Sequence, residues 1–284
     1  MPYETTKHIV ITGANGSIGS ALTRYFSQRN YTVTALVRKK PNNPIENVDY
    51  QSYELESNAE MPYLTSNSVV IHCAYSKTKT QPDSNILAAN HLLNEARKRK
   101  VSQCIFLSSI SVLSTSASYY SEQKKAIEQL FNAGNDLILR PSLVLGKGGL
   151  FEQTLQTLQK SRFLPLINGG NQPIYYVGMH DLVRYVEESI TNDLKGIHTI
   201  TNPTPIDYKN FYTSIAQQLG FKITPIQVPL FLMKTAVFLN SFLPRPFITK
   251  DNLKGLLQSP TLEIDKTAAF EYQSLEAILT NFKR

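Results

Sequence analysis

Thr12-Gly13-Ala14-Asn15-Gly16-Ser17-Ile18-Gly19 decides how the rest of the chain is read. It joins the short apolar stretch His8 to Thr12 to a segment in which Ile18, Ala21, Leu22, Tyr25 and Phe26 recur at helical spacing. A tight exit from a strand needs a residue without Cβ at Gly13. Gly16 lets backbone N–H groups approach a pyrophosphate, and Gly19 lets the helix pack closely on the sheet. The helix N-terminus adds unsatisfied donors and a positive dipole end. Three glycines alone are a weak signal, but the strand before them and the amphipathic helix after them supply the required context. Gly13, Asn15, Gly16, Ser17, Ile18 and Gly19 are therefore the candidate contacts to a dinucleotide phosphate.

Outward from this turn, strand-like and helix-like segments alternate. Tyr31 to Val37, Val69 to Cys73, Cys104 to Leu107 and Leu137 to Leu139 read as strands. Ile86 to Arg99, with Leu87, Leu92, Leu93 and Ala96 available for packing, and Tyr120 to Phe131 read as helices. Strand, helix, strand in this order means right-handed crossovers and a parallel sheet covered on both faces. After Gly146 the rhythm changes. Leu150 to Gln159 and Asp181 to Ile190 are helical, Ile197 to Thr201 is a strand, and Lys222 to Val228 is strand-like among three further helices. The expected fold is α/β: a Rossmann-like, doubly wound parallel sheet over 1–148 and 174–202. A smaller C-terminal α/β substrate lobe is expected over 149–173 and 203–284.

The composition bounds the alternatives. The 284 residues are 42% hydrophobic and 18% charged, too apolar for a disordered chain. Two cysteines make no disulfide scaffold at this size and point to a reducing, cytoplasmic setting. No targeting signal opens the sequence. Val228 to Leu243 is the longest apolar stretch, but Pro229, Lys234 and Asn240 interrupt it. It reads as a helix packed into a core rather than a membrane span. Five histidines and two cysteines show no metal-ligand spacing, so no metal is expected. There are 29 Lys+Arg against 22 Asp+Glu, a net +7 that raises the question of a nucleic-acid partner. The densest run, Arg97-Lys98-Arg99-Lys100, closes a helix, where cations suit the dipole, and no aromatic residues interleave it. No nucleic-acid partner is expected.

Two further clusters carry chemistry. Strand two ends Ala35-Leu36-Val37-Arg38-Lys39-Lys40, without the acid that would accept from a ribose 2′-OH. Arg38 and Lys39 suit a 2′-phosphate instead, which favours NADP, with NAD the alternative. Tyr120-Ser121-Glu122-Gln123-Lys124 places a phenol and an ammonium at i and i+4 on one helix face. A nearby cation lowers a tyrosine pKa toward the range useful for acid–base work. Ser108-Ser109 stands at the C-terminal end of a sheet strand, the edge where such sheets bind ligands. Ser108 suits strand-end backbone, leaving Ser109 for a ligand.

The Gly-x-x-Gly-x-x-Gly spacing together with Ser109 and the Tyr120/Lys124 pair resembles the extended short-chain dehydrogenase/reductase superfamily, the NAD(P)-dependent epimerases and dehydratases that modify nucleotide sugars. Ser109, three before Val112, and Glu128, eight after Tyr120, also fit its pattern. The resemblance implies that Ser109 hydrogen-bonds the substrate oxygen and Tyr120 exchanges its proton. Lys124 would hold the nicotinamide ribose and depress the Tyr120 pKa, and Asn85 would support Lys124 through water. It further implies that Ile71-His72-Cys73-Ala74 ends at the cofactor's ribose and adenosine, and that Arg140-Pro141-Ser142 passes its carboxamide. Val177-Gly178-Met179-His180-Asp181 would open a helix near the substrate, with His180 as a substrate contact. On the residues alone, His72 reads as a satisfied strand histidine, and Asp181 as a helix N-cap or a site residue. The family's flanking helices commonly build a dimer, which leaves a homodimer open.

The chain also departs from that pattern. Ile110-Ser111 follow Ser109 where the dehydratases carry an Asp-Glu pair, so no positioned acid serves water elimination. Gln172 to Tyr176 lack the arginine usual in uridine-nucleotide epimerases, and Pro244-Arg245-Pro246 only partly stands in for a late Arg-x-Gly-Asp. Lys147, Arg162 and Arg245 are the remaining candidate anion contacts, each reading first as surface. The resulting expectation is an NADP-dependent oxidoreductase that reduces a keto group of a sugar or sugar-nucleotide. A 4-epimerase is the runner-up, and a non-catalytic dinucleotide sensor or structural subunit the reading of another class.

Overall fold

A computed structural model describes residues 7–77, 83–114, 118–132, 134–240, 262 and 270–282. Strand β1 (His8–Thr12) leads through the glycine turn into α1 (Ser17–Ser27), whose Leu22 and Phe26 are buried. Then come β2 (Thr32–Val37), β3 (Val48–Ser52), β4 (Ser68–His72), α2 (Ser84–Lys98), β5 (Gln103–Leu107), α3 (Tyr119–Glu128) and β6 (Leu137–Pro141). The remainder comprises β7 (Leu143–Leu145), α4 (Leu150–Ser161), β8 (Phe163–Leu166), β9 (Pro173–Ile174), β10 (Tyr176–Gly178) and α5 (Met179–Thr191). It ends with β11 (Gly196–Ile200), β12 (Ile206–Asp207), α6 (Tyr208–Leu219), β13 (Thr224–Gln227), α7 (Leu230–Asn240) and α8 (Leu275–Phe282).

Seven strands form one sheet in the order β11-β6-β5-β4-β1-β2-β3. Pairing is parallel from β3 through β2, β1, β4 and β5 to β6. The chain winds outward from β1 to β2 and β3, then crosses to β4 on the other side. Reversal of winding opens a crevice at the C-terminal ends of β1 and β4. All five residues of β4 and of β5 are buried, which is why both read as continuous apolar runs. The edge strand β3 (Val-Asp-Tyr-Gln-Ser) has only partly buried or exposed side chains, and for that reason no apolar run announces it.

The chain separates into two compact units. The first comprises 1–109, 122–140 and 182–199; the second comprises 110–121, 141–181 and 200–284. In the first, Val10, Leu36, Val70, Phe106 and Ile138 of the sheet pack with Leu92, Leu93 and Ala96 of α2. The second has its own core, in which Phe151, Leu155 and Leu158 of α4 meet Phe211 and Ile215 of α6 and Ile278 and Leu279 of α8.

Two packing expectations need correction. Leu87 does not pack inward: it is 63% exposed, because the buried stripe of α2 runs through Ala88, Ala89, Leu92, Leu93 and Ala96. The apolar stretch from Val228 is helical but not simply a core helix. Met233 and Val237 are buried, while Phe231 and Leu232 are 66% and 49% exposed. Among the described residues no helix is long and apolar enough to cross a membrane. Pro244-Arg245-Pro246 lies outside the described residues.

Candidate active site

The glycine turn is built as its sequence requires. Gly13 has φ +66°, a left-handed conformation that favours glycine, and a Cβ there would stand 2.7 Å from Ala74 Cα. Gly16 N donates to Gly13 O at 2.8 Å, and a Cβ on Gly19 would strike that same carbonyl oxygen. Gly16 caps α1 without a side-chain hydrogen bond, and no acid occupies the first turn. The helix start therefore keeps backbone donors and positive potential for an anion. Asn15, Ser17 and Ile18 all stand on this turn. The Asn15 side chain reaches across to donate to Lys39 O at 2.8 Å, tying the turn to the end of β2. Arg38 and Lys39 are exposed there.

At the crevice the key organiser is Thr12, a residue the sequence did not mark. Its hydroxyl oxygen accepts from the backbone N–H of Cys73 and of Ala74, both at 3.1 Å, and lies 2.8 Å from His72 Nδ1. With its acceptor positions taken, the hydroxyl donates to Nδ1, which places the ring proton on Nε2. Burial first, and the charge of Lys124 second, push the His72 pKa down to about 3, so the ring is neutral. His72 is thus only half satisfied: its buried Nε2 has no hydrogen-bond partner among the described residues. Asn85 is 1% exposed, and its direct hydrogen bonds among the described residues are to the backbone of Ser76. Its Oδ1 accepts from Ser76 N at 2.7 Å and its Nδ2 donates to Ser76 O at 3.0 Å, which holds the loop after β4.

Helix α3 carries Tyr120 and Lys124 one turn apart. Lys124 is buried, donates from Nζ to Leu107 O at 2.7 Å, and lies 4.6 Å from the Phe106 ring centroid and 5.3 Å from that of Tyr75. Desolvation lowers its pKa to about 8, against smaller raising effects from Cys73 and Glu128. The carbonyl and the two ring faces offset part of the cost of burying an ammonium. One turn further on, Glu128 receives Arg140 through both carboxylate oxygens, at 2.9 Å and 2.5 Å. It also accepts from the Ser108 hydroxyl at 2.5 Å. Ser108 therefore differs from expectation: its N–H serves the strand end, donating to Leu139 O at 2.8 Å, but its hydroxyl holds α3. Ser109, half-buried, follows directly at the end of β5.

A pH dependence follows from Lys124. The unfolded lysine titrates near 10.5 and the folded one near 8, so between those values the unfolded chain binds more protons. Stability then rises with pH across that window, and the penalty is fully present below it. The urea midpoint of the native chain, relative to that of Lys124→Met, is expected to climb between pH 8 and 10.5; parallel midpoints would show an unshifted lysine.

The other candidates are placed less centrally. Pro141 is the buried last residue of β6, and Ser142 N donates to Ile200 O at 3.0 Å. His180 is the second residue of α5, with its side chain 57% exposed and Nδ1 3.8 Å from Asp181 Oδ1. Asp181 lies inside the first turn of α5 rather than at its N-cap. It is fully buried, and Oδ2 accepts from Gln273 N at 2.8 Å, which ties α5 to the segment before α8. Lys147 and Arg162 are exposed, and Arg245 lies outside the described residues. Among the described residues no group of three or more His, Cys, Asp or Glu could hold a metal ion.

A doubly wound parallel sheet, a glycine turn at its switch point and a Tyr/Lys helix beside a strand-end serine define the class of dinucleotide-binding α/β enzymes. The chain belongs to the NAD dependent epimerase/dehydratase family, whose profile matches residues 9–186. No curated protein matches it. Among solved structures, gox2253 has a TM-score of 0.74 at 17% identity, covering 98% of this chain and 97% of that one. The UDP-glucuronic acid 4-epimerase of Bacillus cereus, in complex with NAD, has a TM-score of 0.65 at 18% identity over 78% and 86% of the two chains. TunA, an NAD dependent NDP-hexosamine 5,6-dehydratase involved in tunicamycin biosynthesis, has 0.64 at 20% over 78% and 84%. At these identities the likeness is one of fold.

Proposed function

We propose that the chain is an NADP-dependent oxidoreductase that reduces a keto group of a sugar or sugar-nucleotide. The observation that carries this reading is Lys124, buried and held by Leu107 O one helical turn from Tyr120. The residues of the turn fit a dinucleotide, since Gly13 and Gly19 have no room for a Cβ against the backbone of Ala74 and of Gly13, and only glycines let the turn close on the start of α1, where backbone donors suit a phosphate. Bound there, the dinucleotide supplies or takes the hydride. Ser109 hydrogen-bonds the substrate oxygen and orients it. The Tyr120 hydroxyl delivers the proton to that oxygen as the carbonyl becomes an alcohol. Lys124 holds the nicotinamide ribose, and its charge favours the phenolate that Tyr120 becomes on giving up its proton. Glu128, gripped by Arg140 and Ser108, keeps α3 fixed against the ends of β5 and β6.

Two features support NADP over NAD: no acid ends β2, and Arg38 and Lys39 are exposed beside the phosphate turn. Removing both by Arg38→Ala/Lys39→Ala is expected to weaken NADPH binding about tenfold to a hundredfold, leaving NADH binding unchanged in isothermal titration. Equal losses for both cofactors would remove the 2′-phosphate assignment. Both cysteines are free thiols, in keeping with a cytoplasmic setting.

The reaction is tested by mixing enzyme and NADPH with a panel of keto-sugars and their nucleotide derivatives. One NADPH consumed per product supports net reduction. Epimer formation with no net NADPH loss would replace it with the 4-epimerase reading, which the family permits.

A further inference from the structure

Four of the large apolar side chains exposed on the second unit stand on neighbouring pieces of backbone: Phe163 on β8, Ile226 on β13, and Phe231 and Leu232 on α7. β8 and β13 pair in parallel, with Phe163 opposite Thr224 and Pro165 opposite Ile226. Phe163 and Ile226 therefore share one face of the ribbon, and Leu164 and Leu166 turn the other way into the core; Phe231 and Leu232 follow on α7, which begins three residues after β13. Val228 N donates to Leu166 O, so the chain leaves this ribbon straight into α7, where Met233 and Val237 pack inward. Among the described residues of β8, β13 and the segments that flank them in sequence, every exposed charge is positive. Lys160, Arg162 and Lys222 are exposed on its borders, and Thr224 N donates to Arg162 O. No Asp or Glu occurs between Glu152 and Asp181, or between Asp207 and Asp251. Glu152 itself sits at the opposite end of α4 from Lys160, bonded to Gly148 N.

We propose that this face is a peripheral membrane-docking surface that takes an anionic lipid bilayer. Such a bilayer meets both halves of the pattern: acidic headgroups pair with the lysines and arginine, and the acyl boundary receives Phe163, Ile226, Phe231 and Leu232. A second copy of the chain would bring Lys160, Arg162 and Lys222 against their own counterparts and set cation against cation. Contact is with the leaflet surface, since no described helix crosses a bilayer.

The test is co-sedimentation of the full chain with vesicles of phosphatidylcholine, with and without phosphatidylserine. Binding is expected only with phosphatidylserine, and it should weaken as salt screens the charges. Phe231→Ser/Leu232→Ser and Lys160→Glu/Lys222→Glu are each expected to lower binding about tenfold, with the NADPH-induced thermal shift unchanged. If a double variant fails to fold, single Phe231→Thr and Lys222→Gln replace it, with smaller losses in the same direction. Three results would overturn the assignment. One is equal binding to both vesicles; another is native binding by both variants. The third is concentration-dependent self-association, or capture by soluble polyanions or acidic proteins, that the apolar variant abolishes while vesicle binding stays absent.

Discussion

Tyr120→Phe is expected to bind NADPH as the native chain does and to reduce its keto substrate about a thousandfold more slowly. The substitution removes one oxygen and leaves the ring, the helix position and the Lys124 environment in place. Lys124 donates to Leu107 O and has cation–π contacts with Phe106 and Tyr75, none of which involves the Tyr120 oxygen. A thousandfold corresponds to about 4 kcal/mol of transition-state stabilisation, the scale of one positioned acid. Turnover and the NADPH-induced thermal shift should be measured on the same preparation. Turnover within about threefold of native would assign the proton to another group. A native chain that binds NADPH yet reduces no substrate, with cellular function intact in the variant, would restore the sensor reading.

Gly19→Ala should act at the other end of the site, on fold and cofactor together. The new methyl meets the Gly13 carbonyl oxygen, which is backbone, and which the Gly16 N–H already holds. Gly13 has no easy retreat, because its φ is positive and the Ala74 backbone lies close enough that even a Cβ on Gly13 would stand 2.7 Å from Ala74 Cα. The helix must move off the turn, at a cost of about 2 kcal/mol, as for other overpacked sites. The donors at the start of α1 then no longer converge on one phosphate. The expected result is a lower urea midpoint and loss of the NADPH-induced shift. Gly16→Ala is the graded control: its Cβ would stand 3.1 Å from the same oxygen, so a small adjustment suffices and part of the shift should survive. Full NADPH stabilisation of Gly19→Ala would show that the turn does not cradle the cofactor.

Much of this molecule was legible in one dimension, and the reason is local. The Gly13, Gly16 and Gly19 spacing, the apolar runs of β1, β4 and β5, and the Tyr120/Lys124 pair are short-range patterns set by backbone geometry and helical period. Central parallel strands are buried on both faces, so their sequences report themselves, whereas edge strand β3 does not. The second unit was legible in its helices but less in its surface, since Phe231 and Leu232 look the same in sequence whether buried or bare.

Family membership, the parallel sheet and the candidate Ser109, Tyr120 and Lys124 came from residue order alone. Tertiary structure decided which partners those residues have. Thr12 holding Cys73, Ala74 and His72, Asn85 holding the backbone of Ser76, and Glu128 joining Arg140 to Ser108 are contacts made where different segments meet in the fold. Only burial makes the Lys124 ammonium a stronger acid, with its pKa lowered to about 8. Sequence period specifies which face of an element is apolar. Which groups lose water together is set by the packing of distant elements, and that loss of water governs the charge states of the site.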